Sequence, residues 1–348
     1  MSLSGAYIAL LIGGAFATGQ EAMQFFVGHG AFSLPGLAIC LLLMVYTSWS
    51  LMRAGKTRNL VTHEQAFRYF CGDIMGVVMT WYTMIMIVTV YGVMLSGVGA
   101  TLEQAYGLPT VIGSSLMASC AAGTLLLGLQ GIIKLLSVIG PAIVFLTIAT
   151  AIGSFFSEKF NLEDGLRVAA ETTLLRASDN WLFSGILYVG LAMPGLAAFL
   201  PLLGVTAGSQ GQIRGASLLG PVGFIVAMAL VVLALIGHLQ LVVQAEVPIL
   251  VLAAEVFPLY GSIFAIVIFL GIYTTVTPLL WAVCRRFSSD RSSSFKLTAI
   301  GLTLFCLVGG NLLPFGEMIN LIYPSIGYVG LFLLFCLVFR DIRSLVGR

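Results

Sequence analysis

The first apolar segment of the chain reads Gly13-Gly14-Ala15-Phe16-Ala17-Thr18-Gly19-Gln20-Glu21. Three glycines and a threonine weaken a helix at this point, because these residues favour helical backbone less than alanine or leucine do. Glu21 brings an ionisable group near the middle of the apolar segment, where a charge is costly unless it is paired, protonated or hydrated. The stretch therefore predicts a membrane helix that is interrupted at a binding site. The alternative is that the glycines permit close packing and that Glu21 reaches water at the outer end.

The composition of the whole chain is that of a membrane protein. Of its 348 residues 59% are hydrophobic and 9% are charged, and the mean hydropathy is +1.07. Soluble domains carry about a quarter charged residues. We therefore predict an all-α polytopic membrane protein whose partners are a lipid bilayer and a small-molecule solute, with no nucleic acid.

Ten segments are long and apolar enough to serve as membrane helices, which need about 20 residues each. They are residues 6–27, 32–52, 74–98, 110–129, 133–155, 181–203, 215–240, 259–284, 296–313 and 319–339.

The basic residues predict how these spans are oriented. With ten spans and a cytoplasmic N-terminus, 13 of the 16 lysines and arginines fall in inner loops or the C-terminal tail. Lys159, Arg167 and Arg176 are the exceptions. Because cytoplasmic loops are enriched in Lys and Arg, we predict an integral protein of a bacterial inner membrane with both termini in the cytoplasm.

The spans divide into two sets of five. The first set covers residues 1–155 and the second covers 181–348, with an outer surface segment at 156–180 between them. Because five is odd, the second set starts from the opposite side of the membrane, as in transporters with inverted repeats and discontinuous helices. Span 6 contains Gly190-Leu191-Ala192-Met193-Pro194-Gly195, and its proline predicts a break that matches the one in span 1. The fold prediction is thus ten helices in a 5+5 inverted repeat with discontinuous helices 1 and 6. A kinked but purely structural helix is the alternative for span 6.

Span 8 contains Gly271-Ile272-Tyr273-Thr274-Thr275. Its hydroxyl and carbonyl oxygens suit a small hard cation such as Na⁺. Threonines in membrane helices also commonly bond back to their own helix, so both interpretations stay open.

The sequence contains no arrangement typical of a membrane-embedded hydrolase or an ATP-driven pump, such as GxSxG, HExxH or a P-loop. We therefore predict no enzymatic activity and no cofactor, apart from a possible coupling Na⁺ ion.

The run from Ile12 to Glu21, followed by Gln24-Phe25-Phe26, resembles the signature of the YkvI-type bacterial membrane proteins. These proteins resemble the amino acid–polyamine–organocation superfamily, which has the five-plus-five inverted repeat of the bacterial leucine transporter. The resemblance of the motif covers about fifteen residues, and that of the architecture covers nearly the whole chain. Two departures are the carboxylate of Glu21 after the break and the presence of only ten spans.

The resemblance implies a substrate pocket between spans 1 and 6 and an ion site between spans 1 and 8. A substrate carboxylate would meet backbone amides near Thr18 and Gly19, and the segment 243–258 would form an outer lid. The candidate substrate-binding residues are Phe16, Ala17, Thr18, Gly19, Glu21, Gly190, Ala192 and Met193. The candidate ion-binding residues are Gly14, Ala17, Gly271, Thr274 and Thr275.

Three functions follow as hypotheses. The first is a secondary active transporter that moves a small amino-acid-like or organic-cation solute by alternating access, coupled to Na⁺ or H⁺. The second is a transition-metal transporter on the same fold, because Ala192-Met193-Pro194 faintly resembles the Met-Pro motif of the natural-resistance macrophage proteins and sulfur favours soft metals. The first span, however, lacks the Asp-Pro-Gly motif of that family. The third is a ligand sensor that does not transport, in the manner of some spore germination subunits, since fold alone does not decide function.

Overall fold

The computed structural model describes residues 3–127, 133–290 and 292–346, and in these residues all regular secondary structure is helical. The helices are α1 (Leu3–Leu11), α2 (Gly14–Thr18), α3 (Gln20–Phe25), the 3-10 helix η1 (Val27–Phe32), α4 (Ser33–Arg58), α5 (His63–Cys71), α6 (Asp73–Tyr106), α7 (Thr110–Leu127), α8 (Ile133–Ser154), α9 (Leu162–Glu171), α10 (Trp181–Thr206), α11 (Gln210–Gly237), α12 (Leu239–Val242), α13 (Pro248–Val256), α14 (Pro258–Phe287), α15 (Ser293–Gly310) and α16 (Phe315–Val346).

Seven helices in the described part of the chain are long and apolar enough to cross a membrane, so the protein is an integral membrane protein. They are Val27–Arg58, Asp73–Tyr106, Trp181–Thr206, Gln210–Gly237, Pro258–Phe287, Ser293–Gly310 and Phe315–Ser344. Large apolar side chains such as Phe145, Leu297 and Phe305 are at least 70% exposed on the outside of the bundle. In a bilayer these side chains face lipid.

The other three predicted spans are not among these seven helices. Span 1 is divided among α1, α2 and α3, while spans 4 and 5 correspond to α7 and α8. Residues 128 and 129 of span 4 lie outside the described residues, as do Arg291 and Arg348 of the predicted cytoplasmic set. The ten-span count and the inverted repeat therefore remain predictions.

The predicted interruption of span 1 is confirmed. The helix stops at Leu11, and Gly13 has extended backbone (φ −107°, ψ −169°). A second interruption follows at Gly19, whose φ of +85° lies in the left-handed region that favours glycine. Gly14 is needed for a different reason, because a Cβ there would lie 2.6 Å from the Cα of Ile272. The broken segment therefore packs backbone to backbone against α14.

The predicted discontinuity of span 6 is wrong. Pro194 and Pro201 both lie inside α10, which continues as one helix from Trp181 to Thr206. A proline removes one helical hydrogen bond, here the bond to the carbonyl of Gly190, without obliging the chain to leave the helix. That carbonyl lies against α16, where a Cβ on Gly330 would be 1.7 Å from the oxygen. Close packing against α16 holds the helix together at this proline.

Glycines bring α10 close to its two main neighbours, α4 and α16. Cβ atoms at Gly55 and Gly204 would approach the carbonyl oxygens of Pro201 and Met52 to 2.0 and 2.1 Å across the α4–α10 contact. Small residues at such crossings permit the backbone approach that drives helix association in membranes.

We call one end of the bundle the basic face. The C-terminal ends of α4, α10, α14 and α16 lie there, together with α5 and the start of α6. Contacts across it include the hydrogen bond from the Lys56 ammonium to the Ala207 carbonyl, and the Arg286 guanidinium 5.5 Å from the ring centre of Trp81.

The opposite end, which we call the lid face, carries α9, α12 and α13. The predicted surface segment 156–180 contains α9, and the predicted lid 243–258 contains α13. Lys159 connects them through an ion pair of 2.7 Å with Glu255, and its hydrogen bond lowers the pKa of that carboxyl. Both side chains are partly solvated, so the pair orients the lid more than it stabilises the fold.

The α10–α16 crossing yields a stability prediction. Gly330→Val would push a side chain into the Gly190 carbonyl, and overpacking of this kind costs about 1–3 kcal/mol or more. We expect a lower thermal unfolding midpoint for the purified protein. Gly301→Val in α15 is the matched control, because a Cβ at Gly301 meets no described atom within 4 Å. Equal midpoints for the two variants would contradict the backbone contact.

Candidate functional site

A cavity of about 200 Å³ lies where the broken first span meets α6, α10, α14 and α16. Its walls are mostly apolar, with Leu11, Met86, Met94, Leu191 and Ile326 among the lining side chains. The position between helices, near an interrupted one, is typical of a ligand site in a membrane bundle.

Glu21 is the single charged residue among the described residues that line this cavity. It lies in the first turn of α3 and is 9% exposed. The hydroxyl of Tyr188 donates a hydrogen bond of 3.0 Å to its Oε2 atom. Within the described ranges no lysine, arginine or histidine nitrogen lies within 4.0 Å of this carboxylate. The cavity therefore presents one carboxylate that no basic side chain neutralises.

Aromatic rings hold Tyr188 in place at the cavity wall, which also includes the ring of Phe16. The Tyr188 ring meets Phe25 and Phe26 edge-on at 5.1 and 5.2 Å, and it stacks on Phe224 with an interplanar angle of 5°. Such pairs add to the stabilisation from burial alone. Tyr323 of α16 also lines the cavity. The site thus combines a carboxylate with several aromatic rings.

Towards the lid face, the cavity is covered by a buried polar network that links α3 to α16. Gln24 is central to it: its Nε2 donates to the Gly316 carbonyl (2.7 Å) and to Gln20 Oε1 (3.2 Å). Its Oε1 accepts from Asn320 Nδ2 at 3.2 Å, and its backbone carbonyl accepts from Ala177 N at 3.0 Å.

The connection before α13 completes this cover. Gln20 Nε2 donates to the Ala245 carbonyl (3.0 Å), and Glu246 Oε2 accepts from the Gly316 amide (2.7 Å). Gln104 of α6 makes a reciprocal pair of 3.0 Å bonds with the backbone of Val247. We call these residues the lid network. Because its members come from α3, α6, α16 and the lid connection, it closes one side of the cavity in this conformation.

The residues of the predicted ion site come together in part. The Gly14 amide donates to Thr275 Oγ1 at 3.3 Å, so spans 1 and 8 meet where the sequence placed them. Thr274 and Thr275 donate their hydroxyls to the Gly271 carbonyl, at 2.8 and 3.1 Å. These hydroxyls make the back-bonds that were the alternative interpretation of span 8. Gly14 and Thr275 line the cavity, whereas Ala17 is buried outside its lining.

Three of the predicted substrate-binding residues, Phe16, Glu21 and Ala192, line the cavity. The other five are outside its lining; they are Ala17, Thr18, Gly19, Gly190 and Met193.

Three of these displaced predictions have a packing explanation. Gly190 faces α16, and Gly19 faces the lid, where a Cβ would lie 2.8 Å from the Ile249 side chain. Met193 is 1% exposed in the core. The amides of Gly19 and Gln20 already donate to the Phe16 carbonyl and to Thr18 Oγ1, so their hydrogen bonds are made within their own segment.

Sequence analysis missed Tyr188, Tyr323 and the lid network. Tyr188, Leu191, Ala192 and Gly195 share one face of α10 at helical spacing. That spacing could have been found by extending the analysis one turn before the Met-Pro pair. Gln20 and Gln24 are four residues apart around Glu21, which is a visible polar stripe in an apolar segment.

No protein-family model matches the chain. The chain is 25% identical over 336 residues to a Bacillus subtilis (strain 168) protein named uncharacterized membrane protein YkvI, covering 94% of this chain and 92% of that protein. It is 29% identical over 347 residues to uncharacterized protein YyaD of the same strain, covering 96% of this chain and 94% of the relative. These similarities support a YkvI-like family of membrane proteins. They do not extend to the amino acid–polyamine–organocation superfamily.

Proposed function

We propose that this YkvI-like membrane protein is a secondary active transporter of a small organic cation that bears an amine. The observation that carries the proposal is the cavity with one carboxylate, Glu21, and aromatic walls inside an apolar helix bundle. A cation within about 6 Å of an aromatic ring is attracted by its negative face. A carboxylate adds a charge-assisted hydrogen bond to an amine.

The same lining favours an organic cation over a zwitterionic amino acid. An amino acid also needs donors for its carboxylate, and the described lining contains no arginine, lysine or histidine. The resemblance implied backbone amides around Gly19 for that role, but the amides of Gly19 and Gln20 already donate to the Phe16 carbonyl and to Thr18 Oγ1.

Glu21 also offers a means of coupling. An isolated charge in a membrane interior is costly, so either a proton or the cationic solute has to neutralise this carboxylate. Competition between the two would couple movement of the solute in one direction to movement of protons in the other. Alternating access would require the lid network to open while the opposite side of the cavity closes.

Sodium coupling has less support. The Gly271 carbonyl already accepts two hydroxyl hydrogen bonds, and Thr275 Oγ1 also accepts from the Gly14 amide. A sodium ion would have to displace these bonds before it could use the oxygens.

Transition-metal transport also has less support. Met193 is outside the cavity lining, and the described residues contain no group of three His, Cys, Asp or Glu side chains that could hold a metal. We propose no enzymatic activity for this chain.

The first test concerns Glu21. We expect small amines that carry N–H donors, tested as ethylamine, butylamine and putrescine, to raise the thermal midpoint of the wild-type protein, whereas alanine and leucine do not. Glu21→Gln should weaken amine binding about 10- to 100-fold, since a hydrogen bond to a charged group contributes about 1.5–3 kcal/mol. Glu317→Gln is the matched control, because Glu317 is exposed at the start of α16.

Uptake of the binding amine into proteoliposomes, with and without a proton gradient, completes this test. Binding without flux would favour the ligand sensor over the transporter. Equal amine binding by the wild-type protein and Glu21→Gln would contradict the role of the carboxylate.

The second test separates a structural from an ion-binding role for Thr275. Thr275→Val leaves the Gly14 amide without its partner, which should lower stability by about 1–3 kcal/mol. Thr274→Val should cost less, because Thr274 bonds only to its own helix. Solute uptake should not change when potassium replaces sodium. Sodium-dependent uptake that Thr275→Val abolishes would instead establish the ion site.

We further propose that the basic face is cytoplasmic and that the membrane is a bacterial inner membrane. The enrichment of Lys and Arg in cytoplasmic loops supports this orientation. The expected result is that green fluorescent protein fused after Arg348, which folds only on the cytoplasmic side of that membrane, is fluorescent. If the green fluorescent protein fusion is not fluorescent and a C-terminal alkaline phosphatase fusion is active, the C-terminus lies outside the cytoplasm and the proposed orientation is wrong.

A further inference from the structure

A second cavity, of about 460 Å³, opens at the basic face between α5 and the last turns of α16. Three arginines line it, Arg58, Arg340 and Arg343. The remaining wall includes the rings of Tyr69, Phe335 and Phe339. We call this cavity the arginine pocket. It is separate from the cavity that contains Glu21.

Two of the arginines converge on one aromatic ring. The guanidinium carbon of Arg340 lies 4.0 Å from the ring centre of Tyr69, and that of Arg58 lies 5.8 Å from the same centre. A single ring thus holds two positive groups that repel each other. An anion placed between them would turn this repulsion into attraction.

No acidic side chain supplies that anion in the described part of the chain. The ion pairs found there involve Arg68, Lys159 and Arg167, and none involves an arginine of the pocket. Asp341 is a neighbour in sequence, but its Oδ2 atom accepts hydrogen bonds from Tyr46 (3.0 Å) and Ser50 (2.6 Å) of α4. The pocket therefore has donors and positive charge without an internal counter-charge.

The apolar wall continues onto the lipid-facing surface of α16. Phe335 and Phe339 are 65% and 59% exposed, and their rings stack at 6.2 Å. The pocket lies at the end of an apolar span, at the depth where lipid headgroups meet the hydrocarbon. A ligand with an anionic head and an apolar tail would match both parts of the site.

We propose that the arginine pocket binds the phosphate group of an anionic phospholipid, whose acyl chain lies along Phe335 and Phe339. Arginine suits this role, because its planar donors match phosphate oxygens in pairs. Basic pockets beside membrane helices attract anionic headgroups, and each arginine near the surface contributes to the preference. A free phosphate ion would use the arginines but would leave the apolar wall unused.

The test measures lipid affinity of the purified full-length protein by native mass spectrometry. The probes are dioleoylphosphatidylglycerol, dioleoylphosphatidylcholine and inorganic phosphate. We expect wild-type protein to retain phosphatidylglycerol in preference to phosphatidylcholine. Arg58→Gln combined with Arg340→Gln should weaken phosphatidylglycerol binding about 10- to 25-fold, which is about five-fold for each arginine.

Two further variants distinguish loss of the lipid site from a general loss of structure or of positive charge. Arg343→Gln changes one exposed pocket residue, cannot disturb the Tyr69 contacts, and should weaken binding about five-fold. Arg285→Gln is the control, since Arg285 lies over Trp281 at 5.8 Å and outside the pocket lining. The proposal is overturned if Arg285→Gln weakens binding as much as the pocket variants do, or if the pocket variants bind like the wild type. Equal competition by inorganic phosphate would also overturn it, as it would assign the pocket to a free anion.

Discussion

A backbone that crosses a bilayer has to satisfy its own polar groups, and in this protein that requirement is most severe at the interrupted first span. The helix stops at Leu11, yet the freed amides have partners. The Gly13 amide donates to the Leu11 carbonyl, the Gly14 amide to Thr275 Oγ1, and the Gln20 amide to Thr18 Oγ1. The interruption therefore depends on α14, which supplies a hydroxyl where the helix supplies no carbonyl. Packing and hydrogen bonding at one contact allow the carboxylate of Glu21 to reach a cavity.

That dependence explains which parts of the fold the sequence could predict. Glycines in a membrane segment indicate an interruption, so the break in span 1 was predictable from the residues themselves. The meeting of Gly14 and Thr275 was expected only through the family resemblance, which implied an ion site between spans 1 and 8. The continuity of α10 was not predictable from Pro194. Whether a proline breaks a helix depends on the neighbours that pack around the lost hydrogen bond, and here these are Gly327 and Gly330 of α16, which lie far away in sequence. Local signals identify the weak points of a helix, and tertiary packing decides the outcome.

In the candidate site, too, local sequence signals predicted some residues and tertiary packing decided the others. Glu21 stood out because a carboxylate is rare in an apolar segment, whereas Tyr188 did not, because a tyrosine in such a segment is ordinary. Its role comes from the rings of Phe25 in α3, Phe26 directly after it and Phe224 in α11, which pack around Tyr188 while its hydroxyl bonds to Glu21. Backbone amides near Gly19 were expected by analogy to bind a substrate carboxylate, yet the amides of Gly19 and Gln20 donate to the Phe16 carbonyl and to Thr18 Oγ1. A predicted helix break locates a site to within a turn, but the direction of each side chain depends on contacts between distant segments.

The two sides of the Glu21 cavity are held by different interactions, which are hydrogen bonds on the lid side and apolar contacts on the opposite side. On the lid side, closure depends on directional bonds through Gln24, Gln20 and Glu246, which hold four elements in one arrangement. On the other side the walls are apolar side chains such as Leu11, Leu196 and Ile326, which can slide with little loss. Opening the lid side exposes polar groups that water can satisfy, so each broken bond costs about 1 kcal/mol or less net, and not the several kcal/mol of an unpaired buried group. The lid side is therefore held closed by hydrogen bonds that water can replace when it opens. Under the proposed transport function, a bound solute or a proton on Glu21 that favours one of the two states would bias the equilibrium between them.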